Sequence, residues 1–166
     1  MKKKLIILSL FLFMLVGCSM GNNPKSKVEE VMMKYQKVDG DIMSGINEVI
    51  AEGNFTDDHA ARYRELLTKQ YKNLSYEIKN ETIDGDNAIV TVQVEVLDYK
   101  NAISDLTFDS TIYTKESFDE EKLNRLESVN SKVTYTIDLT LTKDTDGKWR
   151  LDALTNEQIK KIQGMY

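Results

Sequence analysis

The chain has 166 residues, a formal net charge of −5, and one residue each of cysteine, histidine, tryptophan and proline. This length fits a single domain, and the acidic balance excludes a nucleic-acid-binding protein, which needs a basic surface to neutralise phosphates. A single cysteine excludes an internal disulfide, and together with one histidine it excludes a zinc site built from four Cys and His ligands.

The N-terminal segment has the composition of a secretory signal. Three lysines at positions 2–4 precede a largely apolar run from Leu5 to Val16, shorter than the roughly 20 residues that span a bilayer. The run ends in Leu-Val-Gly17-Cys18, which resembles the lipobox of bacterial lipoproteins. The resemblance implies cleavage between Gly17 and Cys18 and attachment of a diacylglycerol to the Cys18 thiol. The alternatives are an ordinary signal peptide and an N-terminal anchor helix with an incidental cysteine.

A lipid on Cys18 predicts a protein anchored at the extracytoplasmic face of the cell membrane. Without the signal at residues 1–17, the chain keeps 19 Lys and Arg against 27 Asp and Glu, a net charge of −8. Anionic lipid headgroups repel such a body, and residues 18–26 are polar enough to form a flexible tether. We therefore expect one domain over residues 27–166 that stands off the membrane on this tether.

Three amphipathic helices are predicted after the tether. Apolar residues recur with helical spacing from Val28 to Tyr35, from Ile42 to Ile50 and from Ala60 to Leu74. Asp39-Gly40 and Gly53-Asn54 separate the three stripes, as residues that end helices do. We interpret the three stripes as core-facing surfaces.

Alternating apolar and polar residues predict two antiparallel hairpins. Strands from Leu74 to Ile83 and from Ala88 to Val96 flank an Asp-Gly turn, which is a strong hairpin signal. A second long strand runs from Val133 to Leu141 with its odd-numbered residues apolar. Asp146-Gly147 then turns the chain into a short strand with Trp149, which we expect to be buried against the core.

Residues 98–132 lie between the hairpins and carry weaker signals. Ser117 begins a capping-box pattern that precedes apolar residues with helical spacing. We expect a helical insertion here, and because its core pattern is weak, residues 99–130 are the expected contact surface for a partner. Thr155 matches the N-cap of a short closing helix.

Helices followed by antiparallel hairpins predict an α+β domain, with N-terminal helices packed on a curved antiparallel sheet of about four strands. This order resembles the NTF2-like (cystatin-like) fold. Six segments carry a further resemblance: Val28–Tyr35, Lys69–Ile78, Thr82–Asp86, Lys132–Ile137, Asp146–Trp149 and Ile162–Tyr166. They are similar to a group of uncharacterised lipoproteins of low-GC bacteria, a resemblance that implies no activity or cofactor.

Few residues suggest chemistry. His59 falls in the first turn of the third helix, which Thr56 caps, and could be a general base, although we expect a solvated residue at a helix start. Glu95 and Asp138 lie in the middle of strands, but alternation places both on the polar face. We therefore predict no catalytic residue.

Motifs for cofactors are missing from the sequence. The Asp-Gly turns lack the acid that completes a calcium loop, and no nucleotide-binding, serine-hydrolase or zincin motif occurs. We predict no metal and no cofactor. Tyrosines could line a ligand pocket because each combines a large apolar ring with a polar tip, although such residues more often fill a core. Five of them fall on predicted apolar faces: Tyr35, Tyr63, Tyr71, Tyr76 and Tyr135.

Two functions remain open. The first is a non-catalytic lipoprotein that binds a protein partner or a small molecule, and this is the one we expect. The second is a small-pocket enzyme of NTF2-like type that acts on a small apolar ligand. A closed core between helices and sheet favours the first, whereas a deep cavity with an inward carboxylate favours the second.

Overall fold

A computed structural model describes residues 21–166, so the predicted signal and the lipidation site at Cys18 lie outside the described residues. Within this range no helix is both long and apolar enough to cross a bilayer. Residues 21–166 form six helices and four strands in this order: α1 Pro24–Lys37, α2 Gly40–Glu52, α3 Asp57–Lys72, β1 Ser75–Asp84, β2 Asn87–Leu97, α4 Tyr99–Ala102, α5 Lys115–Glu127, β3 Lys132–Lys143, β4 Trp149–Leu151 and α6 Asn156–Ile162.

The four strands form one antiparallel sheet in the order β1-β2-β3-β4, which confirms the predicted α+β class. In the middle of the sheet, Val92 pairs with Ile78 on one side and Ile137 on the other. Both hairpin turns use glycine with positive φ, 60° at Gly85 and 72° at Gly147, a conformation that other residues rarely adopt. The finer NTF2-like assignment stays a prediction.

The main core lies between α1, α2, α3 and one face of the sheet. The even-numbered residues from Ala88 to Val96 and the odd-numbered residues from Ile137 to Leu141 are all buried, as the alternation predicts. Trp149 is 5% exposed, which confirms its predicted burial. Each such side chain contributes about 1.5–3 kcal/mol when fully buried. Val28 and Met32 of α1 are wholly buried against this face, so the space between sheet and helices is filled.

The folded domain begins earlier than predicted. The Asn23 side chain accepts a hydrogen bond from the Ser26 backbone N–H, and Pro24 occupies the first turn of α1, a combination that favours helix initiation. The Asn22 side chain is also bound to the β3–β4 hairpin, as described below. Residues 22–26, which we expected to belong to the flexible tether over residues 18–26, are therefore part of the folded domain, and the predicted domain boundary at residue 27 lies too far along the chain.

The segment between the hairpins contains two helices, α4 and α5, joined by irregular structure over residues 103–114, and it packs into the domain as part of a second core. Buried residues of α4, α5 and the following turn form a second core with α3 and the end of β2. The predicted N-cap at Ser117 is wrong by three residues, because Thr114 caps α5 and exchanges hydrogen bonds with Ser117 in a capping box. The second core consists of Leu66, Leu97, Tyr99, Leu123, Leu126 and Val129.

Candidate ligand-binding cleft

An apolar cleft of about 390 Å³ opens between the C-terminal end of α2, the middle of α3 and α5. Small-molecule sites are typically concave and mostly apolar, with a few polar groups that set orientation. Its walls combine eight apolar or aromatic side chains with four polar ones and a glycine: Val49, Ile50, Phe55, Leu66, Leu67, Tyr99, Leu126 and Met165, then Glu52, Tyr63, Lys122 and Gln163, then Gly53.

Two stacked aromatic rings form one wall. The Phe55 and Tyr63 rings lie 4.3 Å apart between centroids, with planes inclined by 30°. A side chain at position 53 would clash with the Phe55 ring, so Gly53 lets this ring lie against the end of α2. Lys115 Nζ lies 5.2 Å from the Phe55 centroid and Lys122 Nζ lies 5.7 Å from the Tyr63 centroid, which are cation–π distances.

The Tyr63 hydroxyl is the unusual group in this wall. It is buried, and it has no hydrogen-bond partner among residues 21–166. Burial raises the pKa of Tyr63, and the charge of Asp119 adds to the shift, so the hydroxyl keeps its proton at neutral pH. A buried donor without a partner costs about 1–3 kcal/mol. The hydroxyl is closed off from solvent, so this cost falls on the stability of the fold.

The rear wall depends on one buried amide, Gln70. Its Oε1 accepts from the Leu97 backbone N–H at 2.8 Å, and its Nε2 donates to the carbonyl oxygens of Leu97 at 2.8 Å and Gln163 at 2.7 Å. Gly164 has a φ of 67°, and a Cβ there would clash with the Leu97 carbonyl oxygen. The C-terminal segment thus packs closely against the end of β2, which places Met165 in the cleft wall.

The structure separates the five tyrosines predicted to line a pocket, and only Tyr63 lines this cleft. The rings of Tyr35 and Tyr71 meet edge to face in the main core, 5.1 Å apart, and burial raises the pKa of Tyr35 to about 12. Tyr76 packs on the main core from β1, and the Tyr135 hydroxyl donates to the carbonyl oxygen of the last residue at 3.0 Å. Tyr35 and Tyr71 are therefore core residues, and a ligand-binding role for the predicted tyrosines stays a prediction.

His59 contradicts its predicted environment. We expected a solvated residue, but only 5% of His59 is exposed, because α5 packs across the N-terminal end of α3. Its Nε2 lies 3.1 Å from Glu120 Oε2. Polar neighbours in the sequence gave no sign of this burial, since the covering helix lies about sixty residues further along the chain.

Arg62 joins the same cluster. Its guanidinium donates to Glu120 Oε2 at 2.7 Å and to both carboxylate oxygens of Glu127 at 2.7 and 2.8 Å. These contacts hold the pKa values of Glu120 and Glu127 below their usual range. The result is an ion-pair network that connects α3 to α5.

This network also bears on metal binding. Possible ligand atoms of Asp58, His59 and Glu120 lie within 4.8 Å of one another, a spacing that a cation could bridge. However, Arg62 donates to the same Glu120 oxygen that faces His59, so a positive charge already occupies this side of the cluster. We interpret the cluster as structural, and the expectation of no metal site stays a prediction.

Among the residues described, no buried carboxylate lines the cleft. Among the described residues that line it, Glu52 is the one acid, and its side chain is exposed. Glu95 forms an ion pair with Lys132 at 2.8 Å, and Asp138 accepts from the Thr91 hydroxyl at 2.6 Å, both on the solvent-facing side of the sheet. The expected polar-face position of Glu95 and Asp138 is confirmed.

The described residues thus define an α+β domain with an apolar cleft beside its sheet. No protein-family model, curated protein or solved structure matches the chain. The resemblances to NTF2-like proteins and to lipoproteins of low-GC bacteria therefore stay predictions.

Proposed function

We propose that the protein is a lipoprotein, anchored through Cys18 at the extracytoplasmic face of the cell membrane, whose domain binds a small, mostly apolar molecule without changing it chemically. The lipobox-like segment that ends at Cys18 supports the anchor. The observation that carries the binding function is the apolar cleft with the stacked Phe55 and Tyr63 rings in its wall.

The chemistry of the walls describes the ligand. An apolar body would contact Phe55, Leu67 and Leu126, where burial of its surface contributes about 25 cal/mol per Å². The ammonium group of Lys122, 5.7 Å from the centroid of the Tyr63 ring, would attract a partly negative group on the ligand.

The arrangement favours binding over catalysis. General acid–base chemistry needs a titrating group within hydrogen-bond reach of the reacting atoms. The acid in the cleft wall, Glu52, is exposed, and His59 is in contact with Glu120 outside the cleft lining. Because burial raises the pKa of Tyr63, almost no phenolate is present at neutral pH to act as a base.

Binding can be tested with the neutral dye Nile red, whose fluorescence rises in apolar sites. Val49 lies at the mouth of the cleft and is 51% exposed, so Val49→Lys should place a charge there without disturbing the core. Ile83→Lys is the matched control, since Ile83 is 53% exposed on β1, away from the cleft. We expect saturable binding that Val49→Lys weakens at least several-fold and Ile83→Lys leaves unchanged. Equal effects of the two variants, or no saturable binding, would contradict the proposal.

The anchor is tested separately. Cells that take up an alkyne-bearing fatty acid should label the unaltered protein, and Cys18→Ser should abolish the label and release the protein from the membrane fraction. Labelling that persists in Cys18→Ser would show that the lipid is not on this thiol.

A further inference from the structure

The sheet gives the domain two distinct ends. The hairpin turns at Asp84–Asn87 and Asp144–Lys148 define the turn end. At the opposite end, called the cleft end, β2 finishes at Leu97 and the chain enters the cleft wall at Tyr99. The 11 residues of β2 separate these ends by about 33 Å, at about 3.3 Å per residue.

The chain enters the folded domain at the turn end. Asn22 Nδ2 donates to the Gly147 carbonyl oxygen at 2.9 Å, and its Oδ1 accepts from the Trp149 backbone N–H at 3.0 Å. The helix α1 then runs along the sheet to the cleft end, where Gln36 Nε2 donates to the Leu74 carbonyl oxygen at 2.9 Å. The attachment point of the N-terminal segment is therefore fixed by paired hydrogen bonds.

Three residues separate this attachment point from the predicted lipidation site. Only residues 19–21 lie between Cys18 and Asn22, and four successive Cα steps span at most about 14 Å. Whatever conformation these residues adopt, an acylated Cys18 would hold the turn end within this distance of the bilayer surface.

We infer that the anchored protein has a preferred orientation, in which the turn end faces anionic phospholipid headgroups and the cleft end points away from the membrane. The inference rests on the proposed lipid anchor. It replaces the expectation of a domain that stands off the membrane on a flexible tether over residues 18–26, because Asn22, the N-cap Asn23 and the start of α1 take up five of those nine residues.

Net charge disfavours a domain that lies flat on the membrane, because a body with a charge of −8 over residues 18–166 is repelled by anionic lipid. The turn end carries both signs of charge: its two hairpin turns contain Asp84, Asp86, Asp144 and Asp146. Around Asn22 it also presents a shallow polar pocket lined by Lys27, Lys148 and Arg150. Lys27 and Arg150 have acidic partners, Glu30 and Asp144, whereas the Lys148 ammonium has no ion pair within the described residues. Lys148 is thus available to a lipid phosphate.

The orientation can be measured because acylation would block the only native thiol. Thr145→Cys at the turn end and Asn101→Cys at the cleft end each introduce one free thiol at an exposed position and leave Lys148 in place. Each lipidated variant is labelled with a fluorophore and placed in vesicles of phosphatidylglycerol and phosphatidylcholine, with a nitroxide quencher on part of the phosphatidylcholine headgroups. We expect several-fold stronger quenching at position 145 than at position 101.

A control variant with about 20 flexible Gly and Ser residues inserted after Met20 should reduce this difference, because the domain then tumbles freely. Equal quenching at the two positions in the short-tether protein, or stronger quenching at position 101, would overturn the orientation. A protein that lacks the acyl mass and does not sediment with vesicles would instead overturn the proposed anchor, so the two failures are distinguishable.

Discussion

At the residue scale, substitution of Tyr63 would measure how much free energy of unfolding is lost when a buried hydroxyl has no hydrogen-bond partner. Tyr63→Phe should raise the free energy of unfolding by about 1 kcal/mol, because it removes a buried hydroxyl that has no partner within residues 21–166. Urea unfolding followed by circular dichroism would measure this. Tyr99→Phe is the matched control, since its hydroxyl is buried but donates to the Leu66 carbonyl oxygen at 3.2 Å, so its loss should destabilise by about 1 kcal/mol. Destabilisation of the same size in both variants would contradict the description of the cleft wall.

Gln70 should be the most sensitive polar residue of the domain. Gln70→Leu leaves the Leu97 N–H and carbonyl groups without their side-chain partner in a buried setting, which should cost about 3 kcal/mol. Gln36→Leu, which removes a single half-buried hydrogen bond, should cost about 1 kcal/mol or less. Urea midpoints of the two variants test the difference, and equal midpoints would mean that the Gln70 contacts contribute little.

Gln70 and His59 also show what a helical pattern leaves undetermined. Both are polar residues in α3: we predicted a solvated position for His59, and the apolar stripe gave no prediction for Gln70. Their burial depends on Leu97, Glu120 and Gln163, which lie 27 to 93 residues further along the chain. The spacing of apolar residues along α3 contains no information about these distant partners.

At the element scale, the C-terminal segment depends on Gly164. Gly164→Ala should destabilise the protein by more than about 3 kcal/mol, because a Cβ there clashes with the Leu97 backbone in addition to the strain of a positive φ. Gly147→Ala, where φ is 72° but the space is open, should cost only about 1–2 kcal/mol. Thermal unfolding of both variants would separate the effect of the clash from that of the backbone strain. Equal losses of stability in the two variants would contradict the close packing at Gly164.

The α3–α5 connection should make stability depend on acid pH. Because Arg62 lowers the folded-state pKa values of Glu120 and Glu127, the stabilisation is present above the unfolded value near 4.5 and is lost as pH falls through the folded values. Arg62→Met should therefore be destabilised relative to the unaltered protein at pH 7, and the difference should shrink below about pH 4.

Arg64→Met is the control for that series. Arg64 donates to the Asn47 side-chain oxygen at 3.0 Å, an amide that does not titrate, so any loss should be independent of pH. Urea unfolding from pH 7 to pH 3 would compare the variants. A constant difference between Arg62→Met and the unaltered protein over this range would contradict the ion-pair assignment.

Elements were predictable where the pattern is purely local. The alternation in β2 and β3 identified the buried face of each strand, because a strand against a core leaves every second side chain exposed. The start of α5 was misplaced because Thr114 and Ser117 can each act as a cap, and the hydrogen bonds formed in the fold decide between them. For α1 the prediction rested on an apolar stripe from Val28, which gave no information about the cap at Asn23.

At the scale of the whole molecule, the α+β class followed from element order, but the cleft did not. Its walls combine the end of α2, the middle of α3, part of α5 and the C-terminal segment, which meet only in the folded chain. The expected contact surface at residues 99–130 contributes three cleft residues, Tyr99, Lys122 and Leu126, and otherwise helps to build the second core. The cleft therefore overlaps the predicted contact surface only in part, and a partner contact at residues 99–130 stays a prediction.

If the cleft binds an apolar molecule, methyl NMR should locate the bound molecule there. In protein with labelled Ile, Leu and Val methyl groups, titration with Nile red should shift the signals of Val49, Leu67 and Leu126 saturably. The methyl signals of Ile83 and Ile89, which are exposed on the first hairpin, should stay in place. Shifts centred on that hairpin or on the exposed Ile112, with the cleft methyl signals unmoved, would contradict the account.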